Sequence, residues 1–194
     1  MHKLGFLQAQ AVAERLQRTV IDKLYSSPLT RCLETANLIA SAHENLVVTL
    51  HNGLIEMHLG VVDGMSSFTA YERYQFLMDQ ALDETLPDFQ FPSGELRSDA
   101  LHRFETTLQS IVSDNPTGTV CVVTHGGPLG LWLAHQHGEH LGRFRRWQPK
   151  NASITYVSFR NGQYHVDSMN QTDHLSGDLM RCINEIKRSK PTSS

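Results

Sequence analysis

Residues 119–128 read TVCVVTHGGP, a short apolar and largely β-branched run that passes directly into a histidine, two glycines and a proline. Such a run, without polar alternation, is typical of a strand that is covered on both faces in a parallel sheet. The residues after this run predict a helix. The stretch therefore predicts a strand–turn–helix unit, with His125 at the carboxyl end of the strand.

The rest of the chain alternates strands and helices in the same way. Ser27-Pro28 is expected to open a helix, with Ser27 as its N-cap and Pro28 at the first helical position. Asn161-Gly162 predicts a tight hairpin turn, so an antiparallel pair is expected at one edge of the sheet. The predicted helices cover 5–20, 28–42, 67–83, 95–114 and 177–187. The predicted strands cover 22–26, 46–50, 119–124, 153–159 and 164–167. The strand at 46–50 is expected to be buried. This order predicts an α/β fold, a mostly parallel sheet with helices on both faces.

Length and composition favour one domain over residues 1–194, with a helical insertion at about 67–94 and a polar tail at 189–194. No apolar run approaches the ~20 residues of a membrane span, so no membrane partner is expected. The 17 basic and 20 acidic residues do not form the basic stripe of a nucleic-acid-binding domain. Three scattered cysteines and no secretory pattern predict a reducing, cytoplasmic setting.

Three side chains are expected at the carboxyl edge of the sheet, where ligands bind in open α/β folds. Arg31 lies in the first turn of the helix after residues 22–26, and His125 ends the strand at 119–124. Glu56 lies in a glycine-punctuated loop after the strand at 46–50. A guanidinium fork matches phosphate oxygens, and a carboxyl group whose pKa is raised can protonate a leaving oxygen. The set therefore predicts phosphoryl transfer.

Each of these residues also has an ordinary structural interpretation, because Arg31 and Glu56 could be solvated and His125 could be a core histidine. The cluster of His135, His137 and His140 fits neither one helical face nor a zinc motif, so structural roles are expected there and no metal site is predicted. Cys182 and Arg188 have the spacing of a thiol phosphatase loop without its glycines, which chance explains better.

Several motifs occur together in one order along the chain. They are LGxxQA at 4–9, YSSPLTR at 25–31 with ETA at 34–36, LIExxxGxxxG at 54–64, FPSGE at 91–95, VTHGG at 123–127, NASI at 151–154 and NxxxHL at 170–175. In this order they resemble the histidine phosphatase (phosphoglycerate mutase-like) superfamily over nearly the whole chain.

The resemblance implies roles for the three candidates. Arg31 would bind phosphate, His125 would be the second active-site histidine, with Gly126 beside it at the phosphate, and Glu56 would be the proton donor. It also implies a phosphohistidine intermediate, no cofactor, no metal and a small phosphorylated metabolite as substrate. The short interval from Glu56 to His125 looks more like the small-molecule phosphatase branch, such as α-ribazole phosphatase, than a glycolytic mutase.

The sequence departs from the family at one point, because the family's first strand ends in Arg-His-Gly and no such triplet occurs here. That strand would be the first central strand of the sheet and would carry the nucleophile. The expectation is therefore an N-terminally truncated chain that is inactive alone, since losing a nucleophile can cost ~10⁶ in rate. A non-catalytic phosphate-binding protein and a phosphoglycerate mutase-type phosphotransferase are the alternatives.

Overall fold

The computed structural model describes residues 1–177 and residue 179. The predicted last helix, the polar tail, Cys182 and Arg188 therefore lie essentially outside the described residues. The helices are α1 (Lys3–Leu16), α2 (Thr30–Ser41), α3 (Ser67–Leu82), α4 (Arg97–Asp114), α5 (Gly126–Gln136) and α6 (Phe144–Trp147). The strands are β1 (Lys23–Ser26), β2 (Val48–Leu50), β3 (Val120–Val123), β4 (Ile154–Arg160) and β5 (Gln163–Gln171).

Three of these strands form a parallel sheet in the order β2–β1–β3. Leu24 of β1 lies opposite Val48 on one side and Cys121 on the other. Because β1 is central and pairs in parallel with both neighbours, the carboxyl ends of all three strands meet at one edge. The predicted parallel α/β sheet is confirmed.

Side-chain alternation along β1 and β3 divides the core between the two faces of the sheet. Leu24, Cys121 and Val123 pack with α1 and α2. Tyr25 and Val122 pack on the opposite face, with α4 and α5. This period of two is what a strand requires, and it places helices on both faces as the sequence predicts.

The antiparallel pair is formed by β4 and β5, as the Asn161-Gly162 turn predicts, but its position differs from the expectation. It is a separate two-stranded sheet rather than an edge of the parallel one. It packs against the core through side chains, since Ile154 joins the α1–α2 cluster and Val166 joins the α4–α5 cluster.

Two burial predictions were wrong. β2 is an edge strand with Leu50 51% exposed, and the preceding Val47 is 75% exposed, so the run at 46–50 is not buried. β3 is half-buried throughout rather than covered on both faces. Among the described residues β3 pairs with β1 alone, which leaves its second edge without a strand partner.

The helix that follows β1 also begins later than predicted. α2 starts at Thr30, and Leu29 has an extended backbone with ψ 132°, so Pro28 precedes the helix instead of opening it. Ser27 is therefore not the N-cap, although its Oγ accepts a hydrogen bond from the Leu29 amide at 3.3 Å. No described helix is both long and apolar enough to span a bilayer.

Candidate active site

The site lies where β1 and β3 end. The amide of Ser27 donates to the carbonyl of Val123 at 2.9 Å, which continues the sheet one residue beyond β1. Nε2 of His125 then lies 2.8 Å from Oγ of Ser27. Both side chains are buried, so the two strand ends are joined through a polar pair that solvent scarcely reaches.

Arg31 contacts the other nitrogen of the same imidazole. Its Nε donates to Nδ1 of His125 at 3.1 Å, across 94 residues of sequence. The expected proximity of Arg31 and His125 is therefore confirmed. Since Nδ1 accepts from a guanidinium, it holds a lone pair, and the proton of a neutral ring sits on Nε2, facing Ser27.

The electrostatics agree with a neutral imidazole. Burial lowers the pKa of His125 to about 4, and the positive charges of Arg31 and then Arg103 add to the effect. The ring is thus uncharged at neutral pH.

A cysteine that sequence reasoning did not single out completes this group. Sγ of Cys32 lies 3.4 Å from Nε2 of His125, and it donates to the carbonyl of Thr124 at 3.3 Å. Burial raises the pKa of this thiol to about 12, with Arg31 opposing and Glu56 adding to the rise. A thiol with so high a pKa stays protonated at neutral pH, which argues against a nucleophilic role. In the sequence, the feature that could have pointed to Cys32 was its position directly after Arg31.

Glu56 lies after a short 3₁₀ turn, Asn52–Leu54, and folds back over its own backbone. Its Oε1 accepts from the Met57 amide at 2.9 Å. Burial raises the pKa of this carboxyl, and hydrogen bonds from the amides of Met57 and Gly127 oppose that rise. The structure therefore places Glu56 against Gly127, two residues after His125.

Arg103 of α4 fixes the loop that carries Glu56. Its Nη1 donates to the carbonyls of Gly53 at 2.7 Å and Ile55 at 3.1 Å. Its Nε and Nη2 form a two-point pair with Glu95, each at 2.9 Å. Sequence reasoning quoted Glu95 in a motif but missed Arg103, whose partners lie 8 to 50 residues away in the chain.

The two glycines after His125 are both tightly packed. A Cβ at Gly126 would lie 3.0 Å from Nε2 of Gln148, and a Cβ at Gly127 would collide with Oε1 of Glu56. The role of Gly126 at a phosphate stays a prediction. Its backbone begins α5, where amides suit an anion.

A cavity of about 140 Å³ adjoins the site on the side of Glu56. It is lined by Glu56 and Gly127, by the aromatic side chains of Phe89 and Phe144, and by Arg97 and Arg145, among others. Arg31 and His125 are not among its lining residues. Of the three predicted site residues, Glu56 alone thus lines this small, partly open cavity.

The three clustered histidines lie elsewhere, in or after α5. His137 stacks on Trp147 with ring centroids 4.0 Å apart, and His135 lies 3.6 Å from Glu105. Within residues 1–177, no three histidine, cysteine or acidic side chains are grouped so that they could hold a metal ion.

Comparison with known proteins gives the family. The model of the histidine phosphatase superfamily (branch 1) matches residues 1–172. The chain belongs to this superfamily. A Proteus mirabilis protein named "Probable phosphoglycerate mutase GpmB" is 30% identical over 95% of this chain and 86% of its own length. Phosphoserine phosphatase 1 of Hydrogenobacter thermophilus is 29% identical over 88% and 80%.

Several solved structures have the same fold. YhfR of Bacillus stearothermophilus superposes with a TM-score of 0.82 at 24% identity, covering 91% of this chain and 87% of its own. A mycobacterial glucosyl-3-phosphoglycerate phosphatase in complex with inorganic phosphate gives 0.77 at 25% identity, covering 91% and 89%. The phosphoglycerate mutase-like fold predicted from the sequence is confirmed.

Proposed function

We propose that this chain belongs to a phosphomonoester hydrolase that acts on a small phosphorylated metabolite through a phosphohistidine intermediate. The observation that carries the proposal is the 3.1 Å contact of Arg31 with His125 at the carboxyl ends of two parallel strands, with Glu56 beside them. The phosphoserine phosphatase of Hydrogenobacter thermophilus and the "Metal-independent phosphoserine phosphatase" of Arabidopsis thaliana support hydrolysis of a phosphate ester.

In this proposal the Arg31–His125 pair is the phosphate site. Arg31 is exposed, so its guanidinium can turn from the imidazole to two oxygens of a phosphate dianion. His125 is buried and neutral, and the arriving dianion raises its pKa and draws a proton onto it. The backbone amide of Gly126 adds a donor at the start of α5.

Glu56 is the proposed proton donor. Burial keeps a proton on its carboxyl to a higher pH than usual, so the acid form is available near the site. In the transfer step a histidine nitrogen forms a bond to phosphorus while the ester P–O bond breaks. The proton of Glu56 passes to the departing oxygen, and water later releases phosphate from the histidine.

The attacking nitrogen is proposed to belong to a histidine other than His125. Both ring nitrogens of His125 are engaged, Nδ1 by Arg31 and Nε2 by Ser27. Among the described residues no second histidine forms a hydrogen bond with Arg31, His125 or Glu56. The chain of 194 residues is therefore expected to bind phosphate but not to turn over, and the sequence-based expectation of a missing first central strand stays a prediction.

The test is titration calorimetry with inorganic phosphate, followed by hydrolysis of a generic phosphomonoester in the presence of a chelator. We expect phosphate binding that Arg31→Met abolishes, while Arg18→Met, which changes an exposed arginine of the same charge, leaves it intact. A folded chain without phosphate affinity would overturn the proposal.

The hydrolysis assay distinguishes the hydrolase from the mutase-type phosphotransferase, and it tests whether a second histidine is needed. Turnover by this chain would contradict the need for a second histidine, and mapping the phosphorylated histidine by mass spectrometry would identify the attacking residue. Loss of turnover in His125→Asn would not identify it, because His125 is also part of the proposed phosphate site. Transfer of phosphate between two metabolites instead of release to water would favour the mutase-type reaction that the name of the Proteus mirabilis relative suggests. Binding with neither reaction is the result expected for this chain, and it is also the behaviour of a phosphate-binding pseudoenzyme. The coding sequence upstream of residue 1 distinguishes the two, since the enzyme requires a strand that ends in Arg-His-Gly to be encoded there.

A further inference from the structure

Gln148 lies across the first turns of α5. It directly follows Trp147, the last residue of α6. A Cβ at Gly126 would lie 3.0 Å from Nε2 of Gln148, and a Cβ at Gly130 would lie 3.0 Å from its Cα. Because residues 126 and 130 are four apart in a helix, they lie on the same face of α5. The two glycines therefore leave the room that Gln148 occupies, and a larger residue at either position would press against it.

The side-chain amide of Gln148 is available to a ligand. The residue is exposed, and within residues 1–177 no protein group forms a hydrogen bond with its amide. It lines the same cavity as Glu56, the proposed proton donor. Its Nε2 lies beside Gly126, the residue that follows the buried imidazole of His125. The amide therefore adjoins both the proposed phosphate site and the cavity.

Two polar side chains hold the loop that carries Gln148. Oδ1 of Asn170, near the end of β5, accepts a hydrogen bond from the Lys150 amide at 2.9 Å. Nε2 of His174 lies 2.8 Å from the carbonyl oxygen of Ala152, and it is the donor because a carbonyl can only accept. These contacts span 20 and 22 residues of sequence. They tie the segment after Gln148 to the segment that follows the hairpin.

The backbone of both segments has a conformation that needs such support. Ala152 has a φ of 58° and Asn170 a φ of 56°. A positive φ is uncommon outside glycine, and it persists where the surrounding contacts determine it. Ala152 belongs to the NASI motif, and Asn170 and His174 belong to the NxxxHL motif. Two motifs to which the proposed function gives no role therefore meet at the loop after Gln148 and fix its shape.

We propose, resting on the proposed function, that Gln148 is a phosphate-binding residue and that Asn170 and His174 are its positioning residues. Nε2 of Gln148 donates to a phosphate oxygen on the side of the cavity, and it complements the guanidinium of Arg31, which does not line that cavity. A cation in this place would favour the ionised form of the Glu56 carboxyl. A neutral amide adds a donor for phosphate and leaves the proton of Glu56 in place.

The first experiment is titration calorimetry of the full chain with inorganic phosphate. Gln148→Met keeps the length of the side chain and removes the donor, so binding should weaken about tenfold, as expected for a hydrogen bond to a charged group. Gln148→Glu should weaken it at least as much, because a carboxylate would face the phosphate. Gln90→Glu is the control, since it adds the same charge at another exposed residue of the cavity wall; its affinity should stay within about twofold.

Two results would overturn the inference while leaving the proposed function in place. One is a Gln148→Met protein that binds phosphate as the wild type does. The other is an equal loss in Gln148→Glu and Gln90→Glu, which would mean that the charge of the cavity matters and a contact of Gln148 does not. A folded wild-type chain that binds no phosphate would overturn the inference and the proposed function together.

A double-mutant cycle tests the positioning residues. Asn170→Gly keeps the positive φ and removes the acceptor of the Lys150 amide, so phosphate binding should weaken about threefold to tenfold. Asn170→Asp retains Oδ1 and should restore most of the affinity. In the Gln148→Met background Asn170→Gly should cause no further loss, because both changes remove the same contact. Additive losses would give Asn170 a role independent of Gln148 and overturn the positioning. If Asn170→Gly does not fold, the same cycle with His174→Phe decides.

Discussion

Gly127 lies directly against the carboxyl group of Glu56, so that a methyl group at position 127 would occupy the place of Oε1. The same carboxyl oxygen accepts a hydrogen bond from the Met57 amide at 2.9 Å. A side chain at position 127 would push the carboxyl away from the strand end that carries His125. The second glycine of the VTHGG motif thus sets the position of the proposed acid.

The first prediction concerns this contact. Gly127→Ala should lower the free energy of unfolding by about 1–3 kcal/mol, because the added methyl group overpacks a closed site. Chemical denaturation measures the change. Gly5→Ala is the matched control: its methyl group meets the flexible Met1 side chain, and alanine favours a helix interior by roughly 0.5–1 kcal/mol. A Gly127→Ala protein as stable as the wild type would show that the Glu56 carboxyl is free to move.

The second prediction concerns Arg103, which joins the Glu56 loop to α4. Arg103→Met removes two hydrogen bonds to backbone carbonyls and a two-point pair whose side chains are 22% and 20% exposed. We expect a loss of about 2–4 kcal/mol in the free energy of unfolding, since an unpaired Glu95 carboxylate would remain half-buried.

The control for Arg103 is Arg146→Met, which breaks an exposed pair with Glu84. Exposed pairs contribute about 0–1 kcal/mol, so this variant should unfold close to the wild-type midpoint. Equal losses in the two variants would contradict a specific bracing role for Arg103.

The sequence predicted the strand ends of the site correctly because the βα units are local. The apolar run before His125 and the run before Ser27 each predict a strand, and parallel pairing then brings their carboxyl ends together. That reasoning was enough to predict that Arg31 and His125 lie close together.

The features that the sequence could not predict depend on contacts between distant parts of the chain. Arg103 braces carbonyls 48 and 50 residues away, and Arg97 reaches Ala81 across 16 residues. Neither pairing has a signature in the local sequence. The apolar run at 46–50 was wrongly predicted to be buried, because hydrophobicity alone does not distinguish an edge strand from a central one.

The third prediction uses the lowered pKa of His125, about 4 against an ordinary value of 6.5. Below pH 6.5 the unfolded chain takes up a proton on this side chain while the folded protein does not. Stability is therefore lost as the pH falls from 6.5 toward 4. Between pH 7 and pH 5 the loss from this group should be about 2 kcal/mol.

Glu56 acts in the opposite direction, since its raised pKa lets the folded protein bind the extra proton. The measurement is therefore the difference between the wild type and His125→Gln, taken from denaturation curves at pH 7 and pH 5. The variant should lose less stability than the wild type over this interval, whereas His165→Gln, at an exposed position of β5, should follow the wild type. Parallel curves for the wild type and His125→Gln would show that the imidazole titrates normally.

The last prediction concerns Cys32, which lies 3.4 Å from Nε2 of His125 without being activated by it. Burial raises the pKa of its thiol to about 12, and that of Cys121 to about 11. Because the thiolate is the reactive form, both cysteines should resist iodoacetamide at pH 8 in the folded protein and react when it is unfolded. Peptide mass spectrometry reads each site separately. Cys32→Ala should still bind phosphate, since Arg31 and His125 remain. Rapid alkylation of Cys32 in the folded chain, with Cys121 still protected, would mean that the neighbouring Arg31 charge outweighs burial, and the cysteine would then have to be considered as a nucleophile.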